Sequence, residues 1–326
     1  MIRCALAMLA LLLAACPAPA RFAPPNRVAP TDAASIERGR YLANHVTVCV
    51  TCHSTRDWTA FGGPVVPGTE GRGGESFTEI FNLPDDVVMP APNITPHALA
   101  SWTDGEIQRA MIGGLSRDGS ALFPSMPFTQ YRKMAWSDLD AIVAWLRTLP
   151  PQDAALPQRD LVHRSLKDIT NLFPAPASPP RRVPQGDSVA RGRYLVDAAG
   201  CAWCHTPIDR GGWPIPGRAF AGGNRFVVKP PGGGWSHAPN LTPHPTGLGG
   251  WTREQFVGRF QRMGDGAATK IETSAGGFNS LMAWEAYSGM TAEDLGAIYD
   301  YLMTRRPIEH VVPRWTPPEI GPRKDL

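Results

Sequence analysis

Cys49-Val50-Thr51-Cys52-His53 and Cys201-Ala202-Trp203-Cys204-His205 decide the reading of this chain. Two thiols on one helical turn with an imidazole on the next residue suit covalent attachment of haem. The cysteines bond the two vinyl groups, and the histidine ligates iron from the proximal face. A zinc half-site or a thioredoxin-like pair also presents Cys-x-x-Cys. Zinc calls for further ligands at matching spacing, and no cysteines remain to supply them; a redox pair does not call for the histidine twice. Of the six cysteines, Cys4 and Cys16 lie near the N-terminus and the other four make the two motifs. His53 and His205 are therefore the expected proximal ligands of two covalently bound haem c groups. Trp203, inside the second motif, is expected to pack at the haem edge.

Outward from the motifs the chain repeats itself. Arg38-Gly39-Arg40-Tyr41-Leu42 precedes the first motif and Arg191-Gly192-Arg193-Tyr194-Leu195 the second, at nearly the same distance. Downstream, Pro92-Asn93-Ile94-Thr95-Pro96-His97 recurs as Pro239-Asn240-Leu241-Thr242-Pro243-His244. Trp102-Thr103 recurs as Trp251-Thr252, and Met126, Tyr131 and Met134 as Met282, Tyr287 and Met290. Asp138-Leu139 recurs as Asp294-Leu295. Landmarks kept in one order make two homologous modules. Between them, residues 172–185 read LFPAPASPPRRVPQ. Proline fixes φ and removes backbone donors, so this stretch reads as an extended linker. The divisions expected are a signal peptide at 1–15, a tether at 16–33, haem domains at 34–160 and 187–310, the linker at 161–186, and a proline-rich tail at 311–326 lying along the surface.

Each module reads as all-α with long loops. A first helix is expected from Ser35 to about Asn44, and its partner from Val189 to about Ala198. A middle helix begins near Trp102, with Thr103 and Glu106 spaced as a capping box, as are Thr252 and Gln255. The last helix carries Leu139, Ile142, Val143 and Leu146 at i, i+3, i+4, i+7, repeated by Leu295, Ile298, Tyr299 and Leu302. Gly39 and Gly192 are expected to let the first helix approach Trp145 and Tyr301 on the last. The glycine-rich loops 62–74 and 211–234 are long for unstructured connections and are expected to wrap the haem edge or a partner site.

The expected distal ligands are Met126 and Met282, which precede the last helix by the same distance. A thioether favours ferrous iron and raises the reduction potential. Met134 and Met290 recur in register at helix-entry positions and read as packing residues. His97 and His244 are the rival ligands; their plainer role is in a Thr-Pro turn beside the haem propionates. His45, His163, His237 and His310 have no counterpart in the other copy and read as surface or packing residues.

A hydrophobic fraction of 43% and a charged fraction of 19% are ordinary for a soluble globular protein. A formal net charge of +3, with no Lys/Arg-rich run, gives no reason to expect a nucleic-acid partner. Arg3 followed by an apolar run from Cys4 to Ala15 has the make-up of a signal peptide and is too short to span a bilayer. It ends in Leu13-Ala14-Ala15-Cys16, which resembles a lipobox, so Cys16 is expected to carry a lipid that anchors a periplasmic protein to a membrane. Cleavage after Ala18-Pro19-Ala20 would instead leave it soluble in the periplasm. No later stretch reaches the roughly 18 consecutive apolar residues a spanning helix requires.

On these residues the chain resembles the multi-haem cytochrome c subunits of membrane-associated bacterial dehydrogenases acting on alcohols, aldehydes and gluconate. The signs are Arg-Gly-x-Tyr-Leu before each haem motif, Asn93-Ile94-Thr95-Pro96, Ser116-Arg117-Asp118-Gly119, Met126-Pro127-Phe128 and Met290-Thr291-Ala292-Glu293-Asp294-Leu295. The resemblance implies two tandem class I cytochrome c-like haem domains with His/Met ligation through Met126 and Met282. It implies electron transfer from a dehydrogenase or quinol-linked donor to a further cytochrome or an oxidase. Two departures stand out: such subunits commonly carry three haems, and Met282 is followed by alanine where the pattern has proline. The competing class is a two-haem peroxidase, which needs one haem with a releasable distal position and acid/base groups beside it; methionine in the same frame of both modules speaks against it. A cysteine-ligated sulfur-oxidising enzyme would need a free mature cysteine, and a haem sensor would need a signalling segment.

Overall fold

The computed structural model describes residues 23–81, 83–84, 86–160 and 182–318. The signal peptide, Cys16, the cleavage position after Ala20, His163, residues 161–181 of the linker and residues 319–326 lie outside them.

The chain is helical with few strands. Helix α1 (Ala33–Tyr41) opens on Asp32, whose carboxylate accepts from the Ser35 N–H at 2.9 Å. It runs on into a wider turn, Leu42–Val46, that delivers the chain to the short attachment helix α2 (Cys49–Cys52). Two more single turns follow, α3 (Phe77–Ile80) and α4 (Pro96–Leu99). Helix α5 (Asp104–Gly113) starts with the reciprocal Thr103/Glu106 capping box and ends on left-handed Gly114. Helices α6 (Phe128–Tyr131) and α7 (Trp136–Leu146) complete the first copy. The second copy repeats the order as α8 (Ser188–Ala198), α9 (Cys201–His205), α10 (Arg253–Gln261), α11 (Trp284–Ser288) and α12 (Ala292–Met303), with the Thr252/Gln255 capping box opening α10.

The second copy also holds a small antiparallel sheet, β1 (Arg225–Val227), β2 (Trp235–His237) and β3 (Trp315–Thr316), in that order. The expected long loop 211–234 thus contains one strand and leads into another, and the tail supplies the third. Strands of two or three residues are too short to show alternation in sequence.

The first and last helices of each copy pack through glycine. A Cβ on Gly39 would fall on the Ala141 carbonyl and 2.9 Å from Trp145 Cβ; one on Gly192 would fall on the Ala297 carbonyl and 2.9 Å from Tyr301 Cβ. The stripe Leu139, Ile142, Val143, Leu146 is buried, as are Leu295, Ile298 and Leu302. Burying each such side chain contributes about 1.5–3 kcal/mol. Residues of both copies belong to one continuous apolar cluster. Its polar seams are paired across the copies: Tyr41 Oη donates to Asp294 at 2.6 Å, Tyr194 Oη to Asp138 at 2.7 Å and Lys133 Nζ to Asp197 at 2.9 Å.

Candidate haem sites

Each attachment helix is held at both ends by the same contacts. The residue before its first cysteine is left-handed in both copies: Val48 at φ 47° and Gly200 at φ 67°. A β-branched residue there is strained, so the first copy keeps this turn at a cost that glycine avoids in the second. Tyr131 Oη donates to the Thr47 carbonyl at 2.8 Å, and Tyr287 Oη to the Ala199 carbonyl at 3.1 Å. Both carbonyls lie two residues ahead of a first cysteine.

Past the cysteines, His53 Nδ1 donates to the Pro92 carbonyl at 2.7 Å and His205 Nδ1 to the Pro239 carbonyl at 2.9 Å. With Nδ1 committed, Nε2 is the nitrogen that can coordinate a metal. The Pro-Asn-x-Thr motif fixes the accepting carbonyl. Asn93 Oδ1 accepts from the Thr95 N–H and hydroxyl, both at 2.8 Å, and its amide donates to the Gln152 carbonyl at 2.7 Å. Asn240 does the same with Thr242 and the Ile308 carbonyl. The Gly73 and Gly222 N–H groups donate to the His53 and His205 carbonyls, both at 2.7 Å. The glycine-rich loops therefore wrap the attachment helices.

Met126 and Met282 are half-buried and sit in matching turns. The Phe128 N–H donates to the Met126 carbonyl and the Trp284 N–H to the Met282 carbonyl, both at 2.8 Å. Pro127 (φ −80°, ψ 50°) and Ala283 (φ −75°, ψ 65°) share one backbone conformation, so alanine after Met282 leaves the turn as proline makes it. Met134 and Met290 are buried in the core. His97 lies in α4, just after the Pro92 carbonyl that His53 bonds; it is exposed, with Nε2 3.5 Å from Asp153. His244 occupies the matching position and bonds the Thr246 hydroxyl at 2.9 Å.

Burial sets the protonation of the four thiols. It pushes Cys49 up to about 11, against a smaller opposing effect of the Thr47 hydroxyl, and Cys201 and Cys204 up to about 12; Cys52 is raised by the same cause. Raised values set these thiols apart from reactive cysteines, whose values are lowered. His53 and His205 are lowered by burial, against their carbonyl hydrogen bonds, and stay neutral. Protonated thiol pairs beside a neutral imidazole with Nδ1 tied back fit a haem c group at each motif.

Sequence reasoning did not reach the accepting carbonyls of Pro92 and Pro239, though the repeated Pro-Asn-x-Thr carried the signal. It also placed His45 among surface or packing residues, whereas its Nδ1 bonds the Ala286 carbonyl of the other copy at 2.8 Å. The second motif stands at the boundary between copies. Cys204 packs on a cluster holding Ile80, Phe77, Phe81 and Trp58 of the first copy, and the Trp203 ring lies 5.4 Å from Phe81 and 6.2 Å from Phe226.

No family model matches the chain. Known proteins do. The cytochrome c subunit of alcohol dehydrogenase (quinone) from Gluconacetobacter polyoxogenes is 29% identical over 301 residues, 85% of this chain and 57% of that protein. A diheme cytochrome c-type protein from Cereibacter sphaeroides is 32% identical over 203 residues, 60% of this chain and 63% of that protein. The chain is a relative of the dehydrogenase cytochrome c subunits. The gluconate 2-dehydrogenase cytochrome c subunit of Pantoea cypripedii, 26% identical over 284 residues, covers 82% of this chain and 59% of its own length. The chain spans 57% of the length of the first of these cytochrome c subunits. Among the described residues, no helix is long and apolar enough to cross a membrane.

Proposed function

We propose that this chain is an electron-transfer protein with two tandem cytochrome c-like domains, at 34–160 and 187–310, each holding one haem c. Cys49 and Cys52 would attach the first group and Cys201 and Cys204 the second. His53 and Met126 would ligate one iron, His205 and Met282 the other. When bound, the group supplies an iron that gains or loses a single electron. The chain's own part is to hold the imidazoles neutral and oriented, to keep the methionine turns pinned, and to bury both sites in apolar surroundings that set the potential.

The observation that carries this reading is the duplicated proximal bond, His53 to Pro92 and His205 to Pro239. A peroxidase would require the two sites to differ, and their proximal and methionine turns match. The relatives' names support a dehydrogenase as partner; the donor in this proposal is that dehydrogenase or a quinol-linked complex, and the acceptor a further cytochrome or an oxidase. Export to the periplasm, with a lipid on Cys16, completes the proposal.

Denaturing mass spectrometry of the exported protein tests it. Two haem increments that survive denaturation are expected, one lost from Cys49→Ala/Cys52→Ala and the other from Cys201→Ala/Cys204→Ala. A chain carrying no covalent haem, or a variant of either motif that keeps both increments, contradicts it.

A further inference from the structure

The two methionine turns match in shape, yet they are held by different modules. In the first copy Met126 follows Phe123-Pro124-Ser125. Its N–H donates to the Phe123 carbonyl at 3.1 Å, and Phe123 packs on Val87 and Met89 of its own copy. In register with Phe123 and Pro124 the second copy has Asn279 and Ser280. There the Met282 N–H donates to the Ser280 hydroxyl at 3.2 Å, and Trp284 Nε1 donates to the same oxygen at 3.0 Å. One buried side-chain oxygen thus ties Met282 to the residue that opens α11.

Asn279 fastens that turn to the first copy. After its attachment motif the first copy makes a hairpin closed by the Arg56–Val65 bridge, and Arg56 Nε and Nη2 donate to the Gly63 and Gly62 carbonyls at 2.7 and 2.5 Å. Asn279 is 1% exposed and lies against the tip of this hairpin. Its amide nitrogen donates to the Trp58 and Ala60 carbonyls, both at 3.1 Å. Its oxygen accepts from the Gly62 N–H at 2.8 Å and from the Ser280 N–H at 2.7 Å. A side-chain amide has two protons to donate and two lone pairs to accept with, and here all four are used. The Phe61 N–H also donates to the Ile271 carbonyl at 2.9 Å, and the Thr273 N–H to the Thr59 carbonyl at 2.7 Å. A Cβ on Gly62 would lie 3.2 Å from the Met282 carbonyl, so the hairpin tip abuts the turn itself. One run of hydrogen bonds thereby leads from Arg56, three residues after His53, through Gly62, Asn279 and Ser280 to the Met282 N–H.

We propose that Asn279 is a positioning residue for the distal ligand of the second haem. Acting through Ser280, it fixes the Met282 turn on the hairpin of the first module, so thioether coordination in the second module depends on the first. The inference rests on Met282 as that ligand. Buried donors and acceptors cost free energy when they lose their partners, so the turn is confined to the one place where Asn279 keeps all four bonds. Groups bonded behind a metal ligand orient it and strengthen its hold on the metal. Met126 is braced by its own module, so the two methionines are held in place by different means.

The test is an imidazole titration of the oxidised, haem-loaded protein. In a Met126→Ala background the far-red band of methionine-to-iron coordination reports the second haem alone. Imidazole competes with the thioether, so its apparent affinity rises with the fraction of iron from which methionine is detached. Asn279→Ala and Ser280→Ala are each expected to let imidazole abolish the band at about tenfold lower concentration, the fold-change that one lost buried hydrogen bond commands. Tyr194→Phe loosens the seam between modules without touching this turn, and it is expected to titrate as the parent does. Parental affinity in either test variant overturns the proposal. So does an equal gain in Tyr194→Phe, which assigns the effect to the seam as a whole. Where Asn279→Ala fails to load its haems, Ser280→Ala decides by itself, since it leaves every bond of Asn279 to the hairpin in place. A band that survives Met282→Ala in the same background removes methionine ligation of the second haem and the proposal with it, an outcome distinct from the others because it appears before any imidazole is added.

Discussion

Tyr41 donates its phenol proton to Asp294, 2.6 Å away in the other copy, while Tyr194 does the same to Asp138 at 2.7 Å. Each aspartate also takes the arginine of its own copy: Arg38 grips Asp138 through Nε at 3.0 Å and Nη2 at 2.9 Å, and Arg191 Nε bonds Asp294. The two tyrosines accept in turn, from the Thr291 N–H at 3.2 Å and the Ala135 N–H at 3.0 Å. The repeated Arg-Gly-x-Tyr thereby gains a role residue by residue. Arginine ties the first helix to the last helix of its own copy, glycine lets the two helices meet, and tyrosine reaches across to the other copy.

Removing one crossing bond should loosen the pair of modules without unfolding either. Tyr194→Phe is expected to lower the unfolding free energy by about 2 kcal/mol, the usual worth of a buried hydrogen bond to a charged group. Tyr41→Phe should cost less, because Tyr41 is only partly buried. Urea unfolding followed by haem absorbance and far-ultraviolet dichroism measures both.

Alkali should act on the same seam. Burial, and after it the hydrogen bond to Asp294, push the Tyr41 phenol up to about 12. An ordinary tyrosine ionises near pH 10. A raised folded-state value means that the contribution is whole below about pH 10 and is lost as the pH climbs to about 12. Melting temperature measured across this window should fall less steeply in Tyr41→Phe than in the parent.

The close helix crossing leaves no room for a methyl group. Gly192→Ala would drive its Cβ into the Ala297 carbonyl. A loss of about 3 kcal/mol is expected, at the upper end of overpacking costs, with lower haem loading in the second module first. Differential scanning calorimetry and haem-to-protein ratios check it.

A buried charge pair also joins the copies. Lys229 Nζ lies 2.9 Å from Glu75 Oε1, which accepts from Trp58 Nε1 at 3.2 Å. Glu75→Ala leaves the buried lysine only the exposed Glu79, 3.7 Å away, and should cost about 3 kcal/mol, whereas Glu75→Leu with Lys229→Met should be nearly neutral. Denaturant midpoints of the single and double variants separate the two cases.

Much of this was legible in the sequence because it is local or periodic. The attachment motifs, both capping boxes, the apolar stripes of α7 and α12 and the two helix-crossing glycines all announce themselves by spacing. First-helix boundaries missed by a few residues, since Asp32 rather than Ser35 opens α1 and the wider turn takes over after Tyr41. What stayed hidden depends on long-range partners. Nothing near Asp138 in the chain says that it joins Arg38 to Tyr194, and nothing near Trp315 says that it pairs beside Ser236 as a third strand. Repetition showed that Tyr131 and Tyr287 mattered without showing that they hold the turns ahead of the attachment helices.

The most direct test of the central proposal is a spectroscopic redox titration of the haem-loaded protein, followed in the far-red band of methionine-to-iron coordination. Two high-potential haems are expected, both showing the band, with Met126→Ala and Met282→Ala each removing it from one haem and lowering that potential. A low-potential haem that lacks the band in the parent protein, or a band unchanged by both substitutions, would contradict His/Met ligation at two equivalent sites.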